Sequence, residues 1–184
     1  MTSRCNDSSR LQDLIDINTV KTRYTRYLDA KRWQDWGNLF TEDVIMQTGD
    51  KEEEIISGRD FIVDFLQKNV ADAITVHQVH AGEITFTGED TAEAIFPMSD
   101  EVEHKHFHLR GFGFYQETFR RVDGEWRLAR WRLLRTRLDW KAKSLPVKLV
   151  KFAYRIGLLG RVSKKLAREF HNNVYARMSP DDLP

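Results

Sequence analysis

The chain has 184 residues, 41% of them hydrophobic, with 29 Lys/Arg against 28 Asp/Glu. That size suits one globular domain with a real core, and a single cysteine, Cys5, leaves no disulfide framework and no thiolate metal cluster. The first ten residues hold no apolar stretch and no run of 18 apolar residues occurs, so neither a signal peptide nor a membrane span is expected, and the expected location is cytoplasmic.

Asp7, Ser8 or Ser9 can cap a helix beginning near Arg10, in which Leu11, Leu14, Ile17, Lys21, Tyr24 and Leu28 recur at helical spacing up to Asp29. A short second helix over 33–40 puts Trp33, Trp36 and Phe40 on one side. Residues 44–47 read as a brief strand, and the charge run 50–54 as a solvated loop. Gly58 then precedes a third helix over 59–69 whose apolar face is Phe61, Ile62, Phe65 and Leu66.

From Ile74 the pattern changes to period 2. Strands over 74–87 and 91–98 are joined by a short connection at 88–90. Strands over 111–122 and 125–138 meet at Asp123-Gly124, a strong two-residue hairpin signal. Helices first and an antiparallel meander afterwards argue an α+β fold with helices on one face of a curved sheet. Gly82, Gly111 and Gly113 sit inside strand patterns, where glycine marks bulges or bends.

Charge divides the chain. Residues 1–140 hold 19 Lys/Arg against 25 Asp/Glu, and residues 141–184 hold 10 against 3. The expected organisation is therefore a domain over 1–140 and a basic amphipathic helical extension over 141–184. In the extension Leu149, Ile156, Leu159, Val162, Leu166 and Phe170 oppose a set of lysines and arginines. Segment 145–175 suits docking on the acidic domain or a dimer mate, or peripheral contact with an anionic membrane. Nucleic acid is not expected, since the domain is acidic and no reading motif is present.

Two constellations carry chemistry. Asp29 closes the first helix and His77 stands 48 residues later in a β-branched run. A carboxylate that orients an imidazole makes a general base near neutral pH. His80, three residues beyond His77, points to the opposite face of an unbulged strand. The second group is His104-Lys-His106-Phe-His108, whose i, i+2, i+4 spacing is open to three readings: metal ligation, a substrate-facing loop or a plain connector.

Leu11-Gln-Asp-Leu-Ile, Tyr24, Tyr27-Leu-Asp29, Trp36-Gly-Asn-Leu-Phe-Thr-Glu-Asp-Val44, Gly58-Arg-Asp-Phe-Ile62, Thr75-Val-His77, Tyr115 and Asp123-Gly-Glu-Trp-Arg-Leu128 follow one another in a familiar order. Over about residues 10–138 the chain resembles the SnoaL-like branch of the nuclear transport factor 2-like superfamily. The resemblance implies an α+β cone, three helices against a strongly curved antiparallel sheet with a pocket at its mouth. Enzymes of that family include scytalone dehydratase, bile-acid 7α-dehydratase and hexachlorocyclohexane dehydrochlorinase.

Within the resemblance Asp29 would orient His77, His77 would remove a proton from carbon, and Tyr24 would act as a catalytic tyrosine. An arginine of the last strand would complete the site. Arg127, Arg130, Arg132, Arg135 and Arg137 all qualify, and Arg132 is the candidate named. Tyr27, Phe112, Phe114, Trp131 and His80 are the expected substrate contacts. The implied function is a cofactor-independent, metal-free lyase or isomerase of the dehydratase kind, a homodimer or homotrimer acting on a hydrophobic polycyclic, steroid-like or polyketide-like molecule. The alternative is a non-catalytic ligand-binding or dimerisation module of the same fold.

Truncation after Asp139 tests the extension. If the extension docks, the shortened chain melts earlier or aggregates. If it serves a membrane, the shortened chain is equally stable but no longer sediments with anionic vesicles.

Overall fold

The computed structural model describes residues 3–48 and 55–142; the 50–54 loop and the helices expected over 145–175 lie outside the described residues. Helix α1 (Ser3–Asp29) begins ahead of the expected Arg10. Its inward face is Asp13, Ile17, Val20, Lys21, Tyr24, Thr25 and Leu28, all buried and repeating at helical spacing. Leu11, expected on that face, is 61% exposed. The helix instead turns Asp13 inward, where its carboxylate accepts hydrogen bonds from Trp126 Nε1 at 3.0 Å and Arg121 Nη2 at 2.6 Å.

α1 ends on a Schellman cap: Lys31 N–H donates to the Leu28 carbonyl at 3.1 Å and Arg32 N–H to that of Tyr27 at 2.8 Å. The cap holds Lys31 at φ 57°, in the left-handed region. α2 (Trp33–Gly37) is shorter than expected because Phe40 already opens strand β1 (Phe40–Gln47). After β2 (Ile55–Ser57), α3 (Arg59–Val70) buries Ile62 completely and leaves Phe61 and Phe65 exposed, so its inward face is narrower than its apolar residues suggest.

The remaining strands are β3 (Ile74–Val79), β4 (Glu83–Phe86), β5 (Thr91–Glu103), β6 (Phe107–Val122) and β7 (Glu125–Ala142). They join β1 and β2 in one curved, unclosed sheet of order β2-β1-β7-β6-β5-β3, with β4 also paired to β5. Every pairing is antiparallel except β1 with β7, which is parallel. The architecture is the expected α+β cone.

Two differences have physical reasons. The strand expected over 74–87 is split, because the chain kinks through His80-Ala81-Gly82 and shifts its register on β5. A Cβ on Gly82 would overlap the Phe96 ring, so the backbone passes closer to β5 than any side chain allows. The β6–β7 hairpin runs well beyond the expected ends. It turns at Asp123 (φ 52°) and Gly124 (φ 81°), both left-handed as a type I′ turn requires. Its pairing shifts between Phe112 and Gly113, where a Cβ on Gly113 would overlap the Leu134 carbonyl.

The core closes on aromatic rings. Tyr24 meets Trp36, Phe40, Tyr115 and Trp131 at centroid distances of 5.5–6.1 Å, and Phe40 stacks on Trp131 at 5.4 Å. Beside them lies an ion pair withdrawn from water, Lys21 Nζ to Glu117 Oε1 at 2.5 Å, with side-chain exposures of 1% and 0%. The Lys21 ammonium also stands 3.5 Å from the centroid of the Tyr115 ring and 4.2 Å from that of Tyr24. Burial pushes the Lys21 pKa down and the Glu117 pKa up, each toward its neutral form, against the attraction between them. No helix among the described residues is long and apolar enough to cross a membrane.

A buried pair of this kind contributes little net stability, yet removing one partner strands the other. Lys21→Met alone should therefore destabilise the fold by about 3–5 kcal/mol, while Lys21→Met with Glu117→Leu should be near neutral or stabilising. Urea unfolding of the single and double variants measures the difference.

Candidate functional site

The end of α1 meets the edge strand β3 at a single carboxylate. Asp29 Oδ1 lies 2.6 Å from His77 Nδ1 and accepts the Thr75 hydroxyl at 2.9 Å, while Oδ2 accepts the His77 backbone N–H at 2.8 Å. Strand alternation places Thr75 and His77 on the same face of β3, two residues apart. One carboxylate therefore takes both side chains and the backbone between strand and helix. The His77 side chain is only 10% exposed and that of Asp29 27%.

A carboxylate only accepts, so the bond to Nδ1 calls for the tautomer with its proton on Nδ1. That leaves the Nε2 lone pair as the basic atom, with no hydrogen-bond partner among the described residues. Burial raises the Asp29 pKa, but the bonds from the His77 ring, the His77 backbone and Thr75 outweigh it. Their net effect holds the carboxyl below its ordinary value.

The same face of the sheet carries a second charged pair. Asp100 stands directly opposite His77 on β5, and Gly111 directly opposite Asp100 on β6. Arg135, on β7 opposite Gly113, reaches back over Gly111 to bind Asp100 in a bidentate pair of 2.8 and 2.5 Å. A Cβ on Gly111 would overlap both the Arg135 guanidinium and the Asp100 carboxylate, so the pair occupies the space that the glycine leaves. Burial lowers the Arg135 pKa, but hydrogen bonding and attraction to Asp100 raise it above the usual value.

Several expected site residues are placed elsewhere. Arg132 pairs with Gln116 and projects from the outer face of the sheet; the arginine of the inner face is Arg135, because the pairing shift between Thr118 and Phe119, with Ala129 as the extra residue, sets the alternation of β7 from there to Arg135. On β6 the buried residues are Gly111, Gly113, Tyr115, Glu117 and Phe119. Phe112 and Phe114 alternate with them and face away from the Asp29–His77 pair. His80 is exposed beyond the end of β3, with its N–H on the Pro97 carbonyl at 3.0 Å.

Trp131 is on the inner face but is spent in the aromatic core. Tyr27 is half-buried beneath the Arg26 and Arg32 guanidiniums. Tyr24 is 3% exposed, and burial drives its hydroxyl pKa far above the usual range. It therefore keeps its proton and can donate a hydrogen bond. Asp100 and Gly111 had no signal in the sequence beyond the glycine; the pairing register alone brings them to His77.

Residues 104–106 form the turn between β5 and β6. There His108 Nε2 lies 2.6 Å from Glu101 Oε1, and the His104 and His106 rings are 5.1 Å apart. Among the described residues no three His, Cys, Asp or Glu side chains are arranged to hold a metal ion. A groove of ≈ 590 Å³ lies on the outer side of α1, lined by Leu14, Ile15, Asn18, Thr19, Thr22, Arg23 and Arg26, away from the cavity expected at Asp29 and His77.

Because the folded-state pKa of Asp29 is depressed, its contribution to stability is present above the ordinary carboxylate range and is lost as pH falls through the folded value. Wild-type melting temperature should drop more between pH 6 and pH 3 than that of Asp29→Asn, in which this contribution is missing throughout.

Residues 9–132 match the SnoaL-like domain family. Among solved structures, a putative scytalone dehydratase from Novosphingobium aromaticivorans DSM 12444 aligns at 21% identity over 72% of this chain and 90% of its own, with a TM-score of 0.66. The hexachlorocyclohexane dehydrochlorinase LinA-type3 from Novosphingobium barchaimii LL02 aligns at 13% identity over 76% and 95%, with a TM-score of 0.63. A protein of unknown function from Mycobacterium tuberculosis aligns at 19% identity over 71% and 75%, with a TM-score of 0.60. At these identities the likeness shows the fold. With its family match spanning most of the chain and its sheet and helices laid out as a nuclear transport factor 2-like cone, this chain belongs to the SnoaL-like domain family.

Proposed function

We propose that this protein is a cofactor-independent lyase or isomerase of the dehydratase kind, acting on a hydrophobic polycyclic, steroid-like or polyketide-like small molecule. The observation that carries this reading is the 2.6 Å contact between Asp29 and His77 Nδ1, locked by the backbone bond from His77 to the same carboxylate. A solvated carboxylate at a helix end would not hold an edge strand in this way. Two solved relatives of the same fold are named as a putative scytalone dehydratase and a dehydrochlorinase, which supports elimination chemistry.

In this reading His77 Nε2 takes a proton from a carbon next to a carbonyl. The C–H electrons form the new double bond, and the bond from the neighbouring carbon to its hydroxyl breaks. The leaving oxygen accepts a hydrogen bond from Tyr24, takes the proton of the imidazolium just formed, and departs as water. Asp29 accepts the Nδ1–H throughout and stabilises the imidazolium without itself being protonated. Asp100, opposite His77 on the same face, and the Arg135 bound to it are further polar groups of the site, and Arg135 replaces Arg132 as the site arginine. The enzyme works in the cytoplasm as a homodimer or homotrimer, with the domain over 1–140 carrying the site and 141–184 an appendage.

A second reading, a ligand-binding or dimerisation module without chemistry, has one observation in its favour. The interior below His77 is filled by the five-ring cluster and the Lys21–Glu117 pair, which leaves less room for a large substrate.

The test is turnover on a panel of polycyclic β-hydroxy ketones, followed by the absorbance of the conjugated enone. Wild type should form enone, His77→Ala should lose about 10²–10⁴-fold in kcat, and Asp29→Asn should fall strongly with both variants folded. Prior dialysis against a chelator should change nothing; a loss would return attention to His104, His106 and His108. Ligand binding with no enone from any member of the panel would favour the module.

A further inference from the structure

Lys31 stands out beside the site. It occupies the left-handed position of the α1 cap at φ 57°, where glycine closes such a cap without strain. A strained non-glycine residue beside a cluster of functional groups calls for an explanation in its side chain. That side chain is half-buried, and its Nζ donates to the Thr75 hydroxyl at 2.7 Å, the same hydroxyl that donates to Asp29 Oδ1.

The chemistry of this chain runs in one direction. An ammonium has only donors, so Lys31 occupies a lone pair of the Thr75 oxygen, and the hydroxyl proton turns to the carboxylate. Lys31 thereby fixes Thr75 as a donor to Asp29 and places a positive charge one hydroxyl away from the carboxylate. The attraction of Asp29 acts on Lys31 in return, raising a pKa that burial lowers.

The charges around His77 come in two such sets. Asp29 faces it from the end of α1 with Lys31 behind, and Asp100 faces it from β5 with Arg135 of β7 behind. The phenols Tyr24 and Tyr115 are buried and protonated. Two carboxylates beside one imidazole favour the imidazolium, which has no lone pair for a proton. Each carboxylate is offset by one cation.

We infer that Lys31 is a positioning residue of the site: it orients Thr75 onto Asp29 and offsets the charge that this carboxylate presents to His77. This deepens the proposed function and rests on His77 as its base.

The experiment follows the titration of His77 by NMR of its ring protons in the full-length chain, with the resonance assigned by comparison with His77→Gln. Lys31→Met and Lys31→Gly should raise the His77 midpoint by on the order of half a pH unit. Lys31→Arg, which keeps both charge and donor, should stay within roughly 0.2 of wild type. In a Thr75→Val background the effect of Lys31→Met should shrink.

A merely structural lysine predicts something else: Lys31→Gly melts at the same or a higher temperature and the His77 midpoint stays put in all three variants. That result, or a downward shift, overturns the inference. Should Lys31→Met fail to fold, Lys31→Gly carries the test, because glycine relieves the cap. The titration needs no substrate. Absence of turnover in the wild type would therefore sink the lyase reading while leaving the His77 midpoints to decide the role of Lys31.

Discussion

The carboxylate of Asp29 is the joint on which the site depends. It terminates α1 and at the same time accepts the backbone N–H of His77, the His77 ring and the Thr75 hydroxyl. Strand β3 is the edge of the sheet beyond β5, where a strand has backbone groups on one side without a ladder partner. Asp29 takes up one of those groups and makes the helix terminus part of the edge. The helix cannot move relative to β3 without breaking three hydrogen bonds to one side chain, and the imidazole inherits that rigidity. A base held by its backbone and by Nδ1 presents Nε2 in one direction only, which is the geometric requirement for proton transfer from a fixed position.

The interior of the cone is more polar than its amino-acid pattern suggests, and glycine makes that arrangement feasible. Asp100 and Arg135 meet over Gly111 because no side chain stands between them, and the β7 bulge at Ala129 sets the alternation that turns Arg135 inward. Lys21 and Glu117 meet deeper, under two tyrosine rings. Buried pairs are costly to desolvate, and their net contribution to stability is small. Their effect is on specificity of arrangement, since each lone partner would be an uncompensated charge if the sheet slipped register. The same low-dielectric surroundings strengthen every charge acting on His77.

Much of this was legible in the sequence, and the remainder was lost for identifiable reasons. The order of elements, the Asp123-Gly124 turn and the end of α1 at Asp29 follow from capping, periodicity and turn chemistry, which are local. Tyr24 and Leu28 were legible as inward-facing for the same reason. The inner face of β7 was not, because strand alternation is a parity argument and a single bulge reverses it. Arg132 and Arg135 differ by three residues and lie on opposite faces, and the extra residue at Ala129, between them and the turn, decides which one faces Asp100. Phe112 and Phe114 failed as wall residues on the same parity, once Tyr115 and Glu117 took the inner face. Asp100 was invisible because its partners lie on β3, β6 and β7, and no local signal carries a three-strand register.

The exposed aromatics show where apolar periodicity misleads. Phe61 and Phe65 look like the core face of α3, yet Ile62 is its buried residue. Leu11 and Ile15 likewise stay outside while Asp13 and Lys21 go in. On α1 a polar residue with a specific partner won the inward position over an apolar one. Asp13 has Trp126 and Arg121, and Lys21 has Glu117. A hydrophobic contact is non-directional and satisfied by many rotations of a helix, whereas a charged hydrogen bond is satisfied by few. The rotation of α1 about its axis is therefore set by Asp13 at one end and Asp29 at the other, with Lys21 between them. The apolar residues fill what that rotation leaves. That ordering of constraints brings the carboxylate of Asp29, at the last turn of the helix, to the one strand that carries His77.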